Sequence, residues 1–307
     1  MQLFERKDTE IAGDKFSYLY WQGMHNEKSL FFFHATGFNG STYHPLLSEI
    51  FLGLDKKYSI YALDQRGHGL SEAKAFPKNL SSWEVYFEDA KKFIKLFEPK
   101  EIITSGHSMG AVVASRVAFD LEKKTKTCIL IDPVLQPQSF QYRSPFTILK
   151  NKIMTTYLTK ILKNRASEMI ENAKKRRNIF DDKLQVFNHY SGRGAFKNWP
   201  DEFLNAYIEG GTQTKDKKVQ LSCSPDWESK TFSVSYAANT RFIKRLSKKI
   251  YVPYASEAST LSELVKSELE LQENFCLEKI EGSHFFPMER KGFLNEKIVN
   301  FLKDLDE

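Results

Sequence analysis

The chain has 307 residues, 41% of them hydrophobic and 27% charged, which places it among globular proteins and excludes disorder. That length lies at the upper limit for a single core and fits one large domain with an inserted subdomain. Lysine and arginine total 45 against 39 acidic residues, and the formal charge of +6 is spread along the sequence, so no nucleic-acid partner is expected.

The first third alternates short apolar runs with helical patterns, as a mostly parallel sheet wrapped by helices does. Strands are predicted at Lys15 to Gln22, Ser29 to Ala35, Tyr58 to Asp64, Glu101 to Gly106 and Thr127 to Val134. An amphipathic helix starts after Ser81 and Ser82, runs through Trp83, Phe87, Ala90, Phe93, Ile94 and Phe97, and is closed by Pro99. The small residues from Ala111 to Ala118 read as a tightly packing helix.

From Leu135 to Phe232 the alternation stops. This lysine-rich, aromatic-rich stretch has partial helical periodicity and reads as a cap subdomain over 135–232, leaving 1–134 and 233–307 as the core. Phe140, Tyr142, Phe146, Tyr157, Phe180, Phe187, Tyr190, Phe196, Trp199, Phe203, Tyr207 and Trp227 offer apolar surface for a cleft beneath it. The basic run Lys174, Lys175, Arg176, Arg177 reads as a solvated helix end. Strands return at Lys249 to Ala255 and Phe275 to Ile280, and Phe293, Ile298, Phe301 and Leu302 form the stripe of a closing helix.

Cys128, Cys223 and Cys276 are far apart and lack C-x-x-C spacing, so reduced buried thiols are expected. The opening residues carry charges where a signal peptide needs an apolar stretch, and no run approaches 18 apolar residues. The expectation is a cytoplasmic protein with no membrane span. No P-loop, G-x-G-x-x-G or H-E-x-x-H occurs, and neither a cofactor nor a metal is expected.

Gly106-His107-Ser108-Met109-Gly110 carries the chemistry, because it falls between a predicted strand and a helix of small residues. That context makes G-x-S-x-G a nucleophile elbow, with Ser108 lifted onto a strained turn. A serine nucleophile needs a base, and His284 follows the last predicted strand directly. The oxyanion of acyl transfer needs two backbone N–H donors. Met109, next after the nucleophile, is one, and Thr36 in His34-Ala35-Thr36-Gly37-Phe38 is the favoured second. His68, in a glycine-rich turn, is assigned to holding that turn. For the acid that orients His284, Asp132 and Glu257 both lie between Ser108 and His284 near strand ends.

His34 to Phe38, Asp64-Gln65-Arg66-Gly67-His68-Gly69, the elbow and Gly282-Ser283-His284-Phe285 come in an order and spacing that resembles the α/β-hydrolase superfamily. The resemblance covers roughly residues 15 to 135 and 235 to 305. It implies an eight-stranded, mostly parallel sheet flanked by helices, with a helical cap inserted after strand 6. One turn departs from it. Where the superfamily closes a Gly-Glu-x-Asp turn, this chain reads Ser256-Glu257-Ala258-Ser259. Some members carry the acid after the preceding strand, the place of Asp132, which is therefore favoured over Glu257. The implied activity is carboxylesterase-like: cleavage of an ester or related acyl bond of a small, largely apolar substrate through an acyl-enzyme. A serine-dependent C–C bond hydrolase is the rival enzyme, and a ligand receptor or non-catalytic protein is the rival of another class.

Overall fold

The computed structural model describes residues 3–136, 167–234 and 243–306. Its main sheet has eight strands in the order β1-β2-β4-β3-β5-β6-β10-β11. They are β1 (Glu5–Ile11), β2 (Asp14–Trp21), β3 (His25–Phe33), β4 (Tyr58–Leu63), β5 (Glu101–His107), β6 (Thr125–Ile131), β10 (Ile250–Ala255) and β11 (Phe275–Ile280). From β4 to β11 every neighbouring pair is parallel, whereas β1 and β2 run antiparallel at one edge.

Parallel strands are covered on both faces, which is why β4 is buried at every position. On one face α1 (His44–Gly53) meets the closing helix, with Leu46, Leu47 and Ile50 in one core with Leu294, Ile298 and Leu302. On the other, α2 (Glu84–Lys95) and α3 (Met109–Asp120) bury Phe87, Phe93, Val112 and Val113. Because β3, β5, β6, β10 and β11 point the same way, the loops after them gather at one edge of the sheet, where ligand sites of open α/β sheets form.

Strand β1 escapes sequence reading. Glu-Arg-Lys-Asp-Thr-Glu-Ile has almost no apolar residue, yet it pairs with β2 from Glu5↔Tyr20 to Ile11↔Asp14. A polar composition suits an edge strand, and Ala12 and Gly13, both at positive φ, make the two-residue hairpin turn.

The stretch between β6 and β10 also departs from the helical expectation. It holds a three-stranded antiparallel sheet, β7 (Ile179–Phe180), β8 (Thr212–Lys215) and β9 (Lys218–Leu221), in the order β7-β9-β8. Asp216 and Lys217, both at positive φ, turn β8 into β9 with the twist such hairpins need. Helices α4 (Lys183–Tyr190), α5 (Asp201–Gly211) and α6 (Pro225–Ser233) lie in the same segment. Phe180, Tyr190, Phe196, Trp199, Phe203, Tyr207 and Trp227 are buried, whereas Phe140, Tyr142, Phe146 and Tyr157 lie outside the described residues.

Arg176 corrects the reading of its basic run. It turns inward and pairs with Glu228 at 2.9 Å, while Lys174 and Lys175 stay exposed. Cys128 and Cys223 are buried free thiols and Cys276 is partly buried.

Candidate active site

Strand β5 ends at His107 and α3 begins at Met109, so Ser108 makes the whole turn with φ 56 and ψ −115. A non-glycine residue in that region is strained by about 1–3 kcal/mol. Its amide donates to the Ile131 carbonyl at 3.0 Å, which ties the turn to β6. Both elbow glycines are sterically required. A Cβ on Gly106 would sit 2.3 Å from the Gly110 backbone, and one on Gly110 would sit 2.0 Å from the Phe33 carbonyl oxygen. Strand β3 and the helix start therefore touch through bare backbone.

The loop after β3 lies against that helix start. Thr36 Oγ1 is 3.2 Å from Met109 Sδ, so the two residues expected to supply the oxyanion donors are neighbours. The loop closes on a Phe38 N–H to Ala35 carbonyl bond of 3.1 Å, with Gly37 at φ 81. His34 accepts from the Gln65 amide at 2.9 Å and donates through Nδ1 to the Ala35 carbonyl at 2.8 Å. Burial lowers its pKa to about 4, which keeps it a neutral brace. His68 donates from Nδ1 to the Arg66 carbonyl at 3.0 Å and, pushed down to about 3 by burial, holds its own turn rather than moving protons.

His284 follows β11, and its Nδ1 lies 2.5 Å from Asp132 Oδ2. Asp132 is fully buried just beyond β6, at φ 39. Its carboxylate also receives the Ser259 hydroxyl at 2.5 Å, the Thr260 amide at 3.1 Å and the Ala255 amide at 3.3 Å. Burial opposes its ionisation, but the bond and charge of His284 together with Ser259 and Thr260 outweigh it and hold the pKa below the ordinary carboxylate value. Glu257 is exposed. The His284 ring stands 4.7 Å, centroid to centroid, from that of His107, the residue before Ser108.

Two further residues support the site, and no motif announces Glu289. Glu289 accepts from both the Ser283 amide, at 3.0 Å, and the Ser283 hydroxyl, at 2.8 Å, which clamps the loop that carries His284. Phe38 packs edge-on to Trp199 at 5.2 Å and to Phe285 at 6.0 Å, joining the loop after β3 to the residue after His284 through an aromatic wall. Among the described residues no His, Cys, Asp or Glu cluster could hold a metal ion, and no helix is long and apolar enough to cross a membrane.

Comparison with known proteins bears on the family and the fold. A Mycoplasma pneumoniae protein bearing an esterase/lipase name is 27% identical over 215 residues, 66% of this chain and 73% of that protein. The 2-(acetamidomethylene)succinate hydrolase of Mesorhizobium japonicum is 28% identical over 103 residues, 34% of each chain. Among solved structures, an E-2-(acetamidomethylene)succinate hydrolase superposes with a TM-score of 0.77 at 18% identity, covering 98% of this chain and 99% of that one. A thioesterase domain from the curacin biosynthetic pathway gives 0.70 at 19% identity, over 97% and 100%. At such identities the structures show a common fold alone. The family model for serine aminopeptidase, S33, matches residues 25–195, more than half of the chain. The chain belongs to that family of hydrolases, within the α/β-hydrolase superfamily.

Proposed function

We propose that the protein is a serine hydrolase that cleaves an ester or related acyl bond through a Ser108-His284-Asp132 triad. His284 takes the proton of Ser108 as its oxygen attacks the acyl carbonyl, then returns it to the leaving group. Asp132 keeps the proton of the imidazole on Nδ1, so that Nε2 is free to act as base, and stabilises the imidazolium that forms. The amides of Thr36 and Met109 receive the developing oxyanion, and water then hydrolyses the acyl-enzyme by the same route.

The observation that carries the reading is the 2.5 Å contact between His284 Nδ1 and a carboxylate that burial, φ and three further donors hold in one orientation. In this reading residues 135–232 serve as the cap, and Phe38, Trp199 and Phe285 favour a small, apolar acyl group.

A panel of p-nitrophenyl esters of graded chain length, with Ser108→Ala as control, tests this. Steady multiple turnover that disappears in the variant is expected, and one slow event per chain would instead identify a receptor. The similarity to a hydrolase named for an acetamide-bearing succinate adds acyl amides as the second substrate class to assay.

A further inference from the structure

We infer that His107 is a positioning residue for the catalytic base, set in its working tautomer by Tyr43. The inference rests on the triad reading above. Tyr43 closes the turn Gly40–Tyr43 and is fully buried, as is His107. The Tyr43 hydroxyl lies 2.7 Å from His107 Nδ1, and His107 Nε2 lies 2.9 Å from the backbone carbonyl oxygen of His284 itself. Ala35, in the loop that carries Thr36, donates its amide to the same hydroxyl at 3.3 Å.

One assignment of hydrogens satisfies every atom. The His284 carbonyl can only accept, so His107 Nε2 carries the hydrogen and Nδ1 is bare. The Tyr43 hydroxyl then accepts from Ala35 and donates to Nδ1. The other tautomer would set the Nε2 lone pair against a carbonyl oxygen and leave the phenolic hydrogen without an acceptor, both costly in a buried site. The relay thus runs from the oxyanion loop, through the residue before the nucleophile, to the backbone of the base.

His284 is consequently held at two points, its ring by Asp132 and its backbone by His107. Since His107 is bonded to Ser108 in the chain, the second hold sets how far the base stands from the nucleophile. His107 must also stay uncharged, because its ring is 4.7 Å from the imidazolium that His284 becomes. Burial and the charge of His284 keep it so, lowering its pKa to about 3.

Two measurements test this. In wild-type protein, nitrogen-15 imidazole spectra recorded between about pH 5 and 9 should show His107 protonated at Nε2, bare at Nδ1 and not titrating. A hydrogen on Nδ1, or titration in that range, overturns the inference. Second, the rate at which a fluorophosphonate labels Ser108 is followed against pH in Tyr43→Phe, His107→Leu and His107→Gln. Tyr43→Phe and His107→Leu should label about tenfold more slowly, from lost alignment. His107→Gln, which keeps a donor toward His284, should regain most of the rate. Variants that melt earlier but label with the wild-type rate, or a His107→Gln variant no faster than His107→Leu, would reduce the pair to structural roles and overturn the inference alone. Wild-type protein whose Ser108 does not label would sink the triad reading and this inference together.

Discussion

Ser259 gives its hydroxyl hydrogen to Asp132 Oδ1 at 2.5 Å, from the loop after β10 to the residue just beyond β6. In most relatives of this fold the position of Ser259 would hold the acid. A hydroxyl cannot supply the negative charge, but it can saturate one oxygen of a carboxylate that comes from the next strand. In the proposed triad the acid comes from the neighbouring strand, and Ser259 supports it.

Asp132→Asn should lower kcat by about four orders of magnitude, because an amide can present its N–H to His284 and stabilise the tautomer whose Nε2 is protonated. Glu257→Gln should leave kcat within about twofold of wild type, since the side chain is exposed. Parallel ester assays on both variants, with circular dichroism to show that each is folded, check this. The reverse ranking would move the acid to Glu257.

Ser259→Ala removes one donor from an ionised, buried carboxylate and should destabilise the protein by about 2 kcal/mol near neutral pH. The folded pKa of Asp132 lies below its unfolded value, so this stabilisation is complete above the unfolded pKa and is lost as pH falls through the folded one. The gap between variant and wild type in urea unfolding should therefore be full near pH 7 and shrink below about pH 4. An equal gap at both would mean that the hydroxyl does not act through the carboxylate.

Gly106→Ala should be among the most damaging single changes, at about 3 kcal/mol or more, because its methyl would lie 2.3 Å from Gly110 backbone that cannot give way. Thermal unfolding reads this directly, and a loss under about 1 kcal/mol would show that the elbow opens more easily than its contacts imply.

Arg176→Met should cost about 3–5 kcal/mol, since it strands the Glu228 carboxylate in the interior. Burial already pushes the Glu228 pKa up even with Arg176 beside it. Replacing both, with Arg176→Met and Glu228→Leu together, should recover most of the loss. Four melting curves close the double-mutant cycle, and additive losses would show that the pair is not coupled.

Seven of the eight strands of the main sheet were legible because short, mostly apolar runs alternate with helical patterns, as from Tyr58 to Leu63, which is buried at every position. The elbow was legible for a related reason. Gly106, Ser108 and Gly110 stand at a fixed short spacing between a strand and a helix of small residues, a pattern that is visible within one stretch of chain. Strand β1 was not legible, because an edge strand facing water carries no apolar signature. Nor was the small sheet β7-β9-β8, whose short strands and Asp216-Lys217 turn lack the usual glycine.

What the sequence determined by itself, then, was the scaffold and the residues proposed to react, since both follow from residue type and near-neighbour spacing. Tertiary structure decided which acid meets His284, that Ser259 serves Asp132, that Arg176 turns inward to Glu228, and that Tyr43 and His107 reach the His284 backbone. Each of those is a contact between segments that are distant in sequence. Such contacts are set by how strands order themselves in the sheet, and strand order leaves no periodic trace in any single stretch of chain.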